Sequence, residues 1–377
     1  MRKMARPIAM IAALALVLAA CGGEEGGSPV ATTPARDEGG GEAIACDVDQ
    51  IDGDLHLYNW TGYIDPQLIT AFEEEYGVDV VEDFYDSNET MLAKLQSGAV
   101  YDLIVPSDYM VGIMIEDGLL AEIQRDALSN ISNLGAAFVD PAYDPGGVFS
   151  VAYQWGTTGL GVNTEVVGKD YQATWGLVFD PELIAHYPGG VSLLDDPRET
   201  MGAALKYLGY SLNSTSEEEL QEAADVIAAA KEFIAAFDSD QYDEILVTGR
   251  LAVAHGSSRK FSASFDDVDG SDTYSYVIPD EGASVWIDTM ALPANAEHPC
   301  TAHTFINYLL DAENGAVLTN WNLFASPNAA SEKFVEAEIL EDEAIYPSDD
   351  IEDLLEIIED TGVFEIQFTN YFAIARS

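Results

Sequence analysis

The chain has 377 residues, of which 67 are acidic and only 15 are basic, so its formal net charge is −52. A charge of this size and sign argues against nucleic acid and anionic surfaces as partners, because both would be repelled. Two explanations remain: adaptation to a salty exterior, where self-repulsion is screened, and electrostatic steering of a cationic ligand. Acidic runs on evident solvent faces, such as residues 217–219, favour salt adaptation for most of the charge.

The N-terminus has the features of a secretory signal peptide over residues 1–20, with basic residues followed by a short apolar run. The run is too short and wrongly flanked to be a mature membrane span. It ends in Leu-Ala-Ala-Cys, which resembles the bacterial lipobox and predicts a lipid on Cys21. Ordinary secretion with an incidental cysteine is the alternative. Residues 21–46 predict a flexible tether, so the membrane would be contacted only through the lipid.

Strands and helices alternate in the first part of the body, which starts near residue 47. The helix predicted over 66–76 has Asp65 as its N-cap and Gly77 just past its end. Strands separated by helices in this way imply a parallel, doubly wound sheet. The elements predicted here are a strand at 55–58, that helix, a strand at 78–84, a helix capped by Asn88, a strand at 103–105 and a helix ending near Gly118.

A second set of elements follows, and two of its strands are predicted to cross between lobes. The strand at 159–163 leaves the first lobe and the strand at 286–293 returns to it, which makes a hinged pair with a cleft. The remaining predicted elements are strands at 191–194 and 251–254, a helix at 217–237 that starts with a capping box at Ser216, helices at 301–310 and 313–321, and a helix from about 348 that bears Ile351, Leu354, Leu355 and Ile358.

Two cysteines remain besides the lipobox cysteine, and outside the cytoplasm two thiols often pair. Cys46 precedes the first strand, so it lies at the end of the sheet away from a ligand. Cys300 follows the strand at 286–293, which runs away from the cleft if it leaves a hinge. These positions predict a Cys46–Cys300 disulfide. A metal site of His298, Cys300 and His303 is the alternative, although its spacing matches no standard zinc pattern.

The first strand runs directly into Trp60, Thr61 and Tyr63. Ligands of open α/β sheets bind at the carboxyl ends of strands, and an aromatic pair there suits a cationic or flat ligand. A buried aromatic pair at an ordinary strand–helix turn would have the same sequence. Taken alone, this segment therefore favours core packing.

Several motifs, in order along nearly the whole body, resemble one family. They are YNWTGY at 58–63, YDSNET at 85–90, YDLIVPSDY at 101–109, YQWGTT at 153–158, LDDPRE at 194–199, WID at 286–288, ALPANA at 291–296 and SPNAA at 326–330. This series resembles the spermidine/putrescine-binding proteins of bacterial polyamine ABC transporters. Many motifs in order are far more specific than any one of them.

The resemblance implies an α/β fold of the periplasmic-binding-protein type, with two lobes, a ligand cleft between them and hinge crossovers. Lobe 1 would comprise residues 47–157 and 285–333, and lobe 2 residues 158–284 and 334–377. The implied protein is an extracytoplasmic, lipid-anchored and monomeric solute-binding protein. It would capture spermidine or putrescine and deliver it to an ABC permease driven by a separate ATPase, without a cofactor.

The resemblance also implies roles for individual residues. Carboxylates would hold a terminal ammonium and an inner amine, hydroxyls would donate or accept hydrogen bonds, and aromatic walls would cover the methylenes. The implied residues are Asp196 and Glu199 for the terminal ammonium, Asp288 for the inner amine, Thr61, Ser107 and Tyr109 for hydrogen bonding, and Trp60, Tyr63, Trp286 and Phe324 for the walls, Phe324 standing where the family has a Tyr. As an alternative role, Asp196 and Glu199 would simply cap a helix.

Three positions depart from the family. Ser257 falls where the family often has a Trp, and Arg259 and Lys260 follow it immediately. Ile358 is the nearest counterpart of a Gln that can contact an amine. A missing aromatic wall widens the pocket, and a nearby cation opposes a polyamine unless an acid pairs with it. These departures bear on which ligand is bound more than on its general class.

Two other functions are weighed against capture of a polyamine. A protein of the same fold could bind another cationic or zwitterionic solute, with the anionic group at Arg259 and Lys260. A hydrolase could use paired carboxylates such as Asp196 and Glu199. The sequence has no G-x-S-x-G, H-E-x-x-H or Walker A motif, so neither common hydrolase chemistry nor the transport ATPase itself is indicated.

Overall fold

The computed structural model describes residues 45–85, 87–266, 268 and 273–377. The predicted signal peptide, the lipid-bearing Cys21 and the tether as far as residue 44 lie outside the described residues. One sheet of ten strands runs through the described chain. Its strands are β1 Leu55–Trp60, β2 Val80–Tyr85, β3 Leu103–Ile104, β4 Ser150–Asn163, β5 Val191–Leu193, β6 Ile234–Phe237, β7 Val253–Ser257, β8 Tyr274–Val277, β9 Ser284–Ala291 and β10 Glu356–Ile357.

Helices alternate with most of these strands along the described chain. They are α1 Pro66–Tyr76, α2 Asn88–Gln96, α3 Asp108–Glu116, α4 Thr164–Val167, α5 Gly176–Phe179, α6 Pro181–Ile184, α7 Pro197–Tyr207, α8 Glu217–Ala230, α9 Tyr242–Val247, α10 Ser258–Asp266, α11 Pro299–Leu309, α12 Ala312–Asn322, α13 Ala337–Leu340, α14 Asp349–Glu352 and α15 Glu365–Ala375. Within the described residues, no helix is both long and apolar enough to cross a membrane.

The order of strands across the sheet is β2-β1-β3-β9-β4-β7-β5-β6, with β10 on β9 and β8 on β4. Strands β1, β2 and β3 are parallel, and so are β5, β6 and β7, which agrees with the predicted parallel sheet. The long strands β4 and β9 are antiparallel to each other and join the two parallel groups. Strand β4 includes the strand predicted at 159–163, and β9 includes most of the strand predicted at 286–293.

The antiparallel centre reverses the direction of one group of strands relative to the other. The carboxyl ends of β1 and β3 therefore face those of β5 and β7. Because ligands of α/β sheets bind at carboxyl ends of strands, this topology produces one cleft between two such edges. The fold is the two-lobe α/β arrangement that the sequence predicts.

Local chemistry explains where the first helix begins and ends. The Asp65 side chain accepts a hydrogen bond from the Gln67 N–H at 2.8 Å, and Pro66 occupies the first helical position. Gly77 ends the helix in the left-handed conformation, with φ of 70°. The predicted bounds of this helix are confirmed.

Two predicted helices are wrong in part. The helix at 217–237 ends at Ala230, and Ile234–Phe237 forms strand β6 beside β5. Ile234 and Phe237 continue the apolar face of the helix, but β-branched and aromatic residues equally suit a strand, and pairing with β5 decides between them. The last predicted helix is one turn, α14, because β10 pairs with β9 instead.

Buried apolar residues form separate clusters on the two sides of the cleft. One cluster draws on residues 160–283 together with Phe368, Phe372 and Ala375, and the others lie on residues 55–155 and 287–345. Val335 and Ile345 pack in the same cluster as Trp155. We therefore propose that the last crossing to lobe 2 comes near residue 346, later than the boundary at 334 that the sequence suggested.

The structure joins Cys46 to Cys300 by a disulfide bond, with the two Cα atoms 5.3 Å apart. This bond ties the segment before β1 to the start of α11, at the end of the sheet away from the cleft. His303 uses both ring nitrogens, contacting the Pro299 carbonyl at 2.6 Å and the Gln124 N–H at 2.8 Å. The disulfide engages Cys300, and these hydrogen bonds engage His303. Two of the three side chains that the alternative metal site would need are therefore already occupied.

We predict that Cys46→Ser with Cys300→Ser lowers the free energy of unfolding by about 2–5 kcal/mol, because the bond closes a long loop in the unfolded chain. The two residues are separated by 254 positions. Denaturant melts of the oxidised protein and the double variant would measure the difference. A reductant should shift the melt of the parent and leave that of the variant unchanged, and equal stability of the two proteins would contradict the prediction.

Candidate functional site

The candidate site is the cleft between the facing carboxyl ends of the strands. It contains two adjoining cavities of about 490 and 420 Å³, which share Ser107 and Trp286. We call the larger one the acidic cavity, since it is lined by Glu89, Asp108, Asp196, Glu199, Glu359, Asp360 and Glu365. We call the other one the aromatic cavity, since it is lined by Trp60, Tyr63, Tyr85, Trp286 and Phe324.

Every ligand-binding position nominated from the sequence lies on the lining of this cleft. The acidic cavity has Tyr109, Asp196 and Glu199, and the shared wall has Ser107 and Trp286. The positions in the aromatic cavity are Trp60, Thr61, Tyr63, Ser257, Asp288 and Phe324.

Strand β9 forms the floor between the two cavities. Side chains of a strand alternate between its faces, so Ser284, Trp286 and Asp288 share the face toward the cleft. On the partner strand β4, Gly156 lies opposite Trp286 and Thr158 opposite Ser284. A Cβ on Gly156 would come within 2.4 Å of the Trp286 ring, so the glycine leaves the room that the indole occupies against β4.

Asp288 is the buried carboxylate of the aromatic cavity, with 7% of its surface exposed. Its two oxygens accept hydrogen bonds from the Tyr63 hydroxyl and, at 2.6 Å, from the Ser107 hydroxyl. Burial raises the pKa of Asp288, and these two hydrogen bonds and the charge of Arg259 oppose the rise. The carboxylate is thus held in a fixed position before any ligand arrives.

Asn88 organises the wall beside Asp288, a role that the sequence did not suggest. The predicted N-cap of α2 was Asn88, but Ser87 is the cap and accepts from the Thr90 N–H. The buried Asn88 amide instead donates to the Ser107 and Tyr109 hydroxyls at 3.0 and 3.1 Å. Both residues suit an N-cap, so only the tertiary contacts distinguish them.

The Tyr109 hydroxyl extends the same network to the rim. It accepts from the Asn88 amide and donates to the Glu89 carboxylate at 3.0 Å. Polar side chains therefore connect Glu89 in the acidic cavity with Asp288 in the aromatic cavity through Tyr109, Asn88 and Ser107.

Asp196 caps a helix, which is the structural role that the sequence offered as the alternative to ligand binding. It is the N-cap of α7, and its Oδ1 accepts from the N–H groups of Arg198 and Glu199 at 2.8 and 3.0 Å. The residue nevertheless lines the acidic cavity. Capping and cleft lining are compatible here, because both bonds end on one carboxylate oxygen.

Glu199 joins α7 to the two crossing strands. Its carboxylate accepts from the Thr158 hydroxyl of β4 at 3.1 Å and from the Ser284 hydroxyl of β9 at 2.6 Å. Burial and the neighbouring charge of Asp196 raise the pKa of Glu199 to about 7, against the lowering effects of both hydroxyls and Arg198. A cation in the cavity would remove much of the cost of ionising this group.

Asp108 is a further acidic residue of the cleft that the sequence analysis missed. It is buried, and its two oxygens accept from the backbone N–H groups of Tyr109 and Ile287. Burial raises the pKa of Asp108 to about 7 despite these bonds. Its place between two nominated residues, Ser107 and Tyr109, was the available signal.

The cations of the cleft differ in their partners. Arg198 is paired with the Glu365 carboxylate and donates to the Glu359 carbonyl at 2.9 Å. The Lys260 ammonium donates to the carbonyls of Ser239 and Asp240 at 3.3 and 2.8 Å. Arg259 instead contacts the Gly62 carbonyl and the rings of Tyr63 and Phe324.

Aromatic rings line the aromatic cavity in two groups. Phe324 packs edge-on against Trp286 at 5.5 Å and against Tyr63 at 5.1 Å between ring centroids. The Trp60 ring lies 4.6 Å from that of Tyr85, and its N–H donates to the Val105 carbonyl. These rings offer apolar faces with negative π density, which suit methylenes and cations.

Comparison with known proteins identifies the family. Residues 67–346 match the bacterial extracellular solute-binding proteins. The chain belongs to this family. It is an extracytoplasmic solute-binding protein rather than an enzyme, so the hydrolase alternative is set aside.

Similar proteins have related names. A putrescine/cadaverine-binding protein of Pseudomonas aeruginosa is 37% identical over 313 residues, which cover 81% of this chain and 88% of that protein. The spermidine/putrescine-binding periplasmic protein of Escherichia coli is 34% identical over 78% of this chain and 83% of its own length. The structure of a spermidine/putrescine ABC transporter substrate-binding protein from Streptococcus pneumoniae superposes with a TM-score of 0.80 at 30% identity, covering 86% of this chain and all of that one.

The raised pKa of Glu199 predicts how stability depends on pH. Its ordinary value of 4.5 rises to about 7 in the folded protein, so its stabilising contribution is complete below pH 4.5 and is lost as pH rises through 7. Relative to Glu199→Gln, the parent should lose about 1–2 kcal/mol of unfolding free energy across this window, allowing for partial exposure. Denaturant melts at several pH values would measure it, and a constant difference between the two proteins would contradict the prediction.

Proposed function

We propose that this protein captures a polyamine, spermidine or putrescine, outside the cytoplasm and delivers it to an ABC permease driven by a separate ATPase. The observation that carries the proposal is the order of groups along β9. Ser284 holds the Glu199 carboxylate, Trp286 follows, and Asp288 presents a second carboxylate on the same face. A polyamine has the complementary order, with cations separated by apolar carbons. The names of the similar proteins support the same ligand class.

The energies of this arrangement favour a ligand with several charges. Each charge-assisted hydrogen bond contributes roughly 1.5–3 kcal/mol, and each buried methylene adds about 0.8 kcal/mol. An aromatic face contributes roughly 0.5–2 kcal/mol to a cation above it. We assign Asp196 and Glu199 to a terminal ammonium, Asp288 to the next amine and Trp286 to the methylenes between them.

The other residues that line the cleft are assigned roles from their position in it. Thr61, Ser107 and Tyr109 supply hydroxyls, Trp60, Tyr63 and Phe324 supply aromatic walls, and Ser257 supplies a small polar side chain beside Tyr242. Closure would bend β4 and β9, since these strands connect lobe 1 to lobe 2.

The site of action follows from the N-terminal sequence. We propose that cleavage before Cys21 and lipidation of this residue anchor a monomer to the membrane surface. The following residues as far as Cys46 would act as the tether. The lipid would be the sole contact of the protein with the bilayer, and the permease would be its protein partner.

A zwitterionic solute is the second candidate, and Arg259 is the observation that favours it. The Arg259 guanidinium lines the aromatic cavity and has no carboxylate within the 4.0 Å of an ion pair among the described residues. It could therefore accept a ligand carboxylate. The two similar proteins at 37% and 34% identity are named for polyamines, which favours the first candidate.

We expect putrescine or spermidine to bind and Asp288→Asn to weaken binding about ten- to hundredfold, because the variant removes the carboxylate of a charge-assisted hydrogen bond. Calorimetry would measure affinity, and a thermal or denaturant melt would report stabilisation of about 2.7 kcal/mol at a hundredfold excess over Kd.

The matched control is Glu218→Gln, which makes the same change of charge on the exposed face of α8. It should leave the affinity unchanged. An equal effect of the two variants would mean that bulk charge attracts the ligand, and no binding of either polyamine would refute the proposal.

A further inference from the structure

Arg259 reaches across the cleft from α10. Its guanidinium donates to the Gly62 carbonyl, just beyond β1, at 3.1 Å. Its central carbon lies 5.4 Å from the centre of the Tyr63 ring and 5.0 Å from that of Phe324. These distances are those of a cation–π contact. The protein's own cation thus occupies the aromatic faces at the far end of the cleft from Glu199.

The charge of Arg259 also acts on Asp288, since it favours the ionised form of that buried carboxyl group. Both residues line the aromatic cavity. An ammonium bound at Asp288 would therefore also be close to the charge of Arg259. Asp288 attracts an ammonium and Arg259 repels it. The aromatic cavity therefore favours the binding of one cation at Asp288 and disfavours a second one near Arg259.

The spacing along β9 sets the length of ligand that satisfies both carboxylate positions. The Cα atoms of Ser284, whose hydroxyl holds Glu199, and of Asp288 are four residues apart along the strand, or roughly 13 Å at the usual rise, and we take this backbone spacing as the scale of the interval between the two carboxylates. An extended chain of single bonds advances roughly 1.2 Å per bond, by comparison with the extended polypeptide backbone. A diamine with four or five carbons therefore spans roughly 6–7 Å, and a hydrogen bond of about 3 Å at each end completes the distance.

A triamine is too long for this interval. With one terminal ammonium at Glu199 and the inner amine near Asp288, the third amine of spermidine extends beyond Asp288. It then reaches the faces of Tyr63 and Phe324, where the Arg259 guanidinium already lies. The two cations would compete for the same π density in a site with one carboxylate.

We propose that Arg259 closes the cleft to a third amine and makes this protein selective for diamines of four or five carbons over triamines. This selectivity rests on the proposed polyamine function and specifies its ligand. A ligand carboxylate at Arg259 is disfavoured because it would also lie beside the carboxylate of Asp288.

The test compares putrescine and spermidine by calorimetry at one ionic strength, using the parent protein, Arg259→Gln and Arg250→Gln. Arg250 is an exposed arginine outside both cavities, so its variant has the same change of residue and charge. We expect the parent to prefer putrescine, and Arg259→Gln to raise the affinity for spermidine relative to putrescine about tenfold. Arg250→Gln should keep the parental ratio, and so should Arg259→Lys, which retains the cation.

The outcomes separate this inference from the proposed function. If both polyamines bind and Arg259→Gln leaves their ratio unchanged, the selectivity of Arg259 is refuted while polyamine capture stands. If neither binds the parent, polyamine capture itself fails, and the inference with it. Tighter binding of 5-aminopentanoate than of cadaverine, lost in Arg259→Gln, would show that the guanidinium recruits a carboxylate and would overturn the proposal. Thermal melts of each variant verify folding.

Discussion

The antiparallel pairing of β4 with β9 is the constraint on which the rest of the structure depends. It joins two groups of parallel strands and turns their carboxyl ends toward each other. The same pairing places Gly156 beneath Trp286 and Thr158 beside Ser284, so the floor of the cleft and the connection between its sides are one element. A change in the register of these strands by one residue would move Trp286 and Asp288 to the opposite face of the sheet.

Electrostatics in the cleft follow from burial rather than from the total charge. Asp108, Glu199 and Asp288 have raised pKa values because they are removed from water, whereas most acidic residues of the chain are exposed. Hydroxyls of Ser107 and Tyr63 hold Asp288, hydroxyls of β4 and β9 hold Glu199, and backbone N–H groups hold Asp108. Such preorganisation costs folding stability and reduces the reorganisation needed when a cation binds.

Much of this arrangement could be predicted from the sequence, because it depends on local signals. Asp65, Pro66 and Gly77 define α1, and the order of motifs nominates positions that all line the cleft. The remainder depends on tertiary contacts. Whether Ile234–Phe237 continues a helix or forms a strand depends on pairing with β5. The contact of Arg259 with Gly62, 197 positions away, has no local signal, although its unusual charge was visible.

The central claim is that Asp288 on β9 and Glu199, held at Ser284 of the same strand, together select the length of a bound dication. Calorimetric titration of α,ω-diaminoalkanes with three to eight carbons tests it most directly, because these ligands share their charge and differ only in spacing. We expect the highest affinity at four or five carbons, with weaker binding of shorter and longer members. An affinity that rises steadily with chain length, or is independent of it, would contradict the claim.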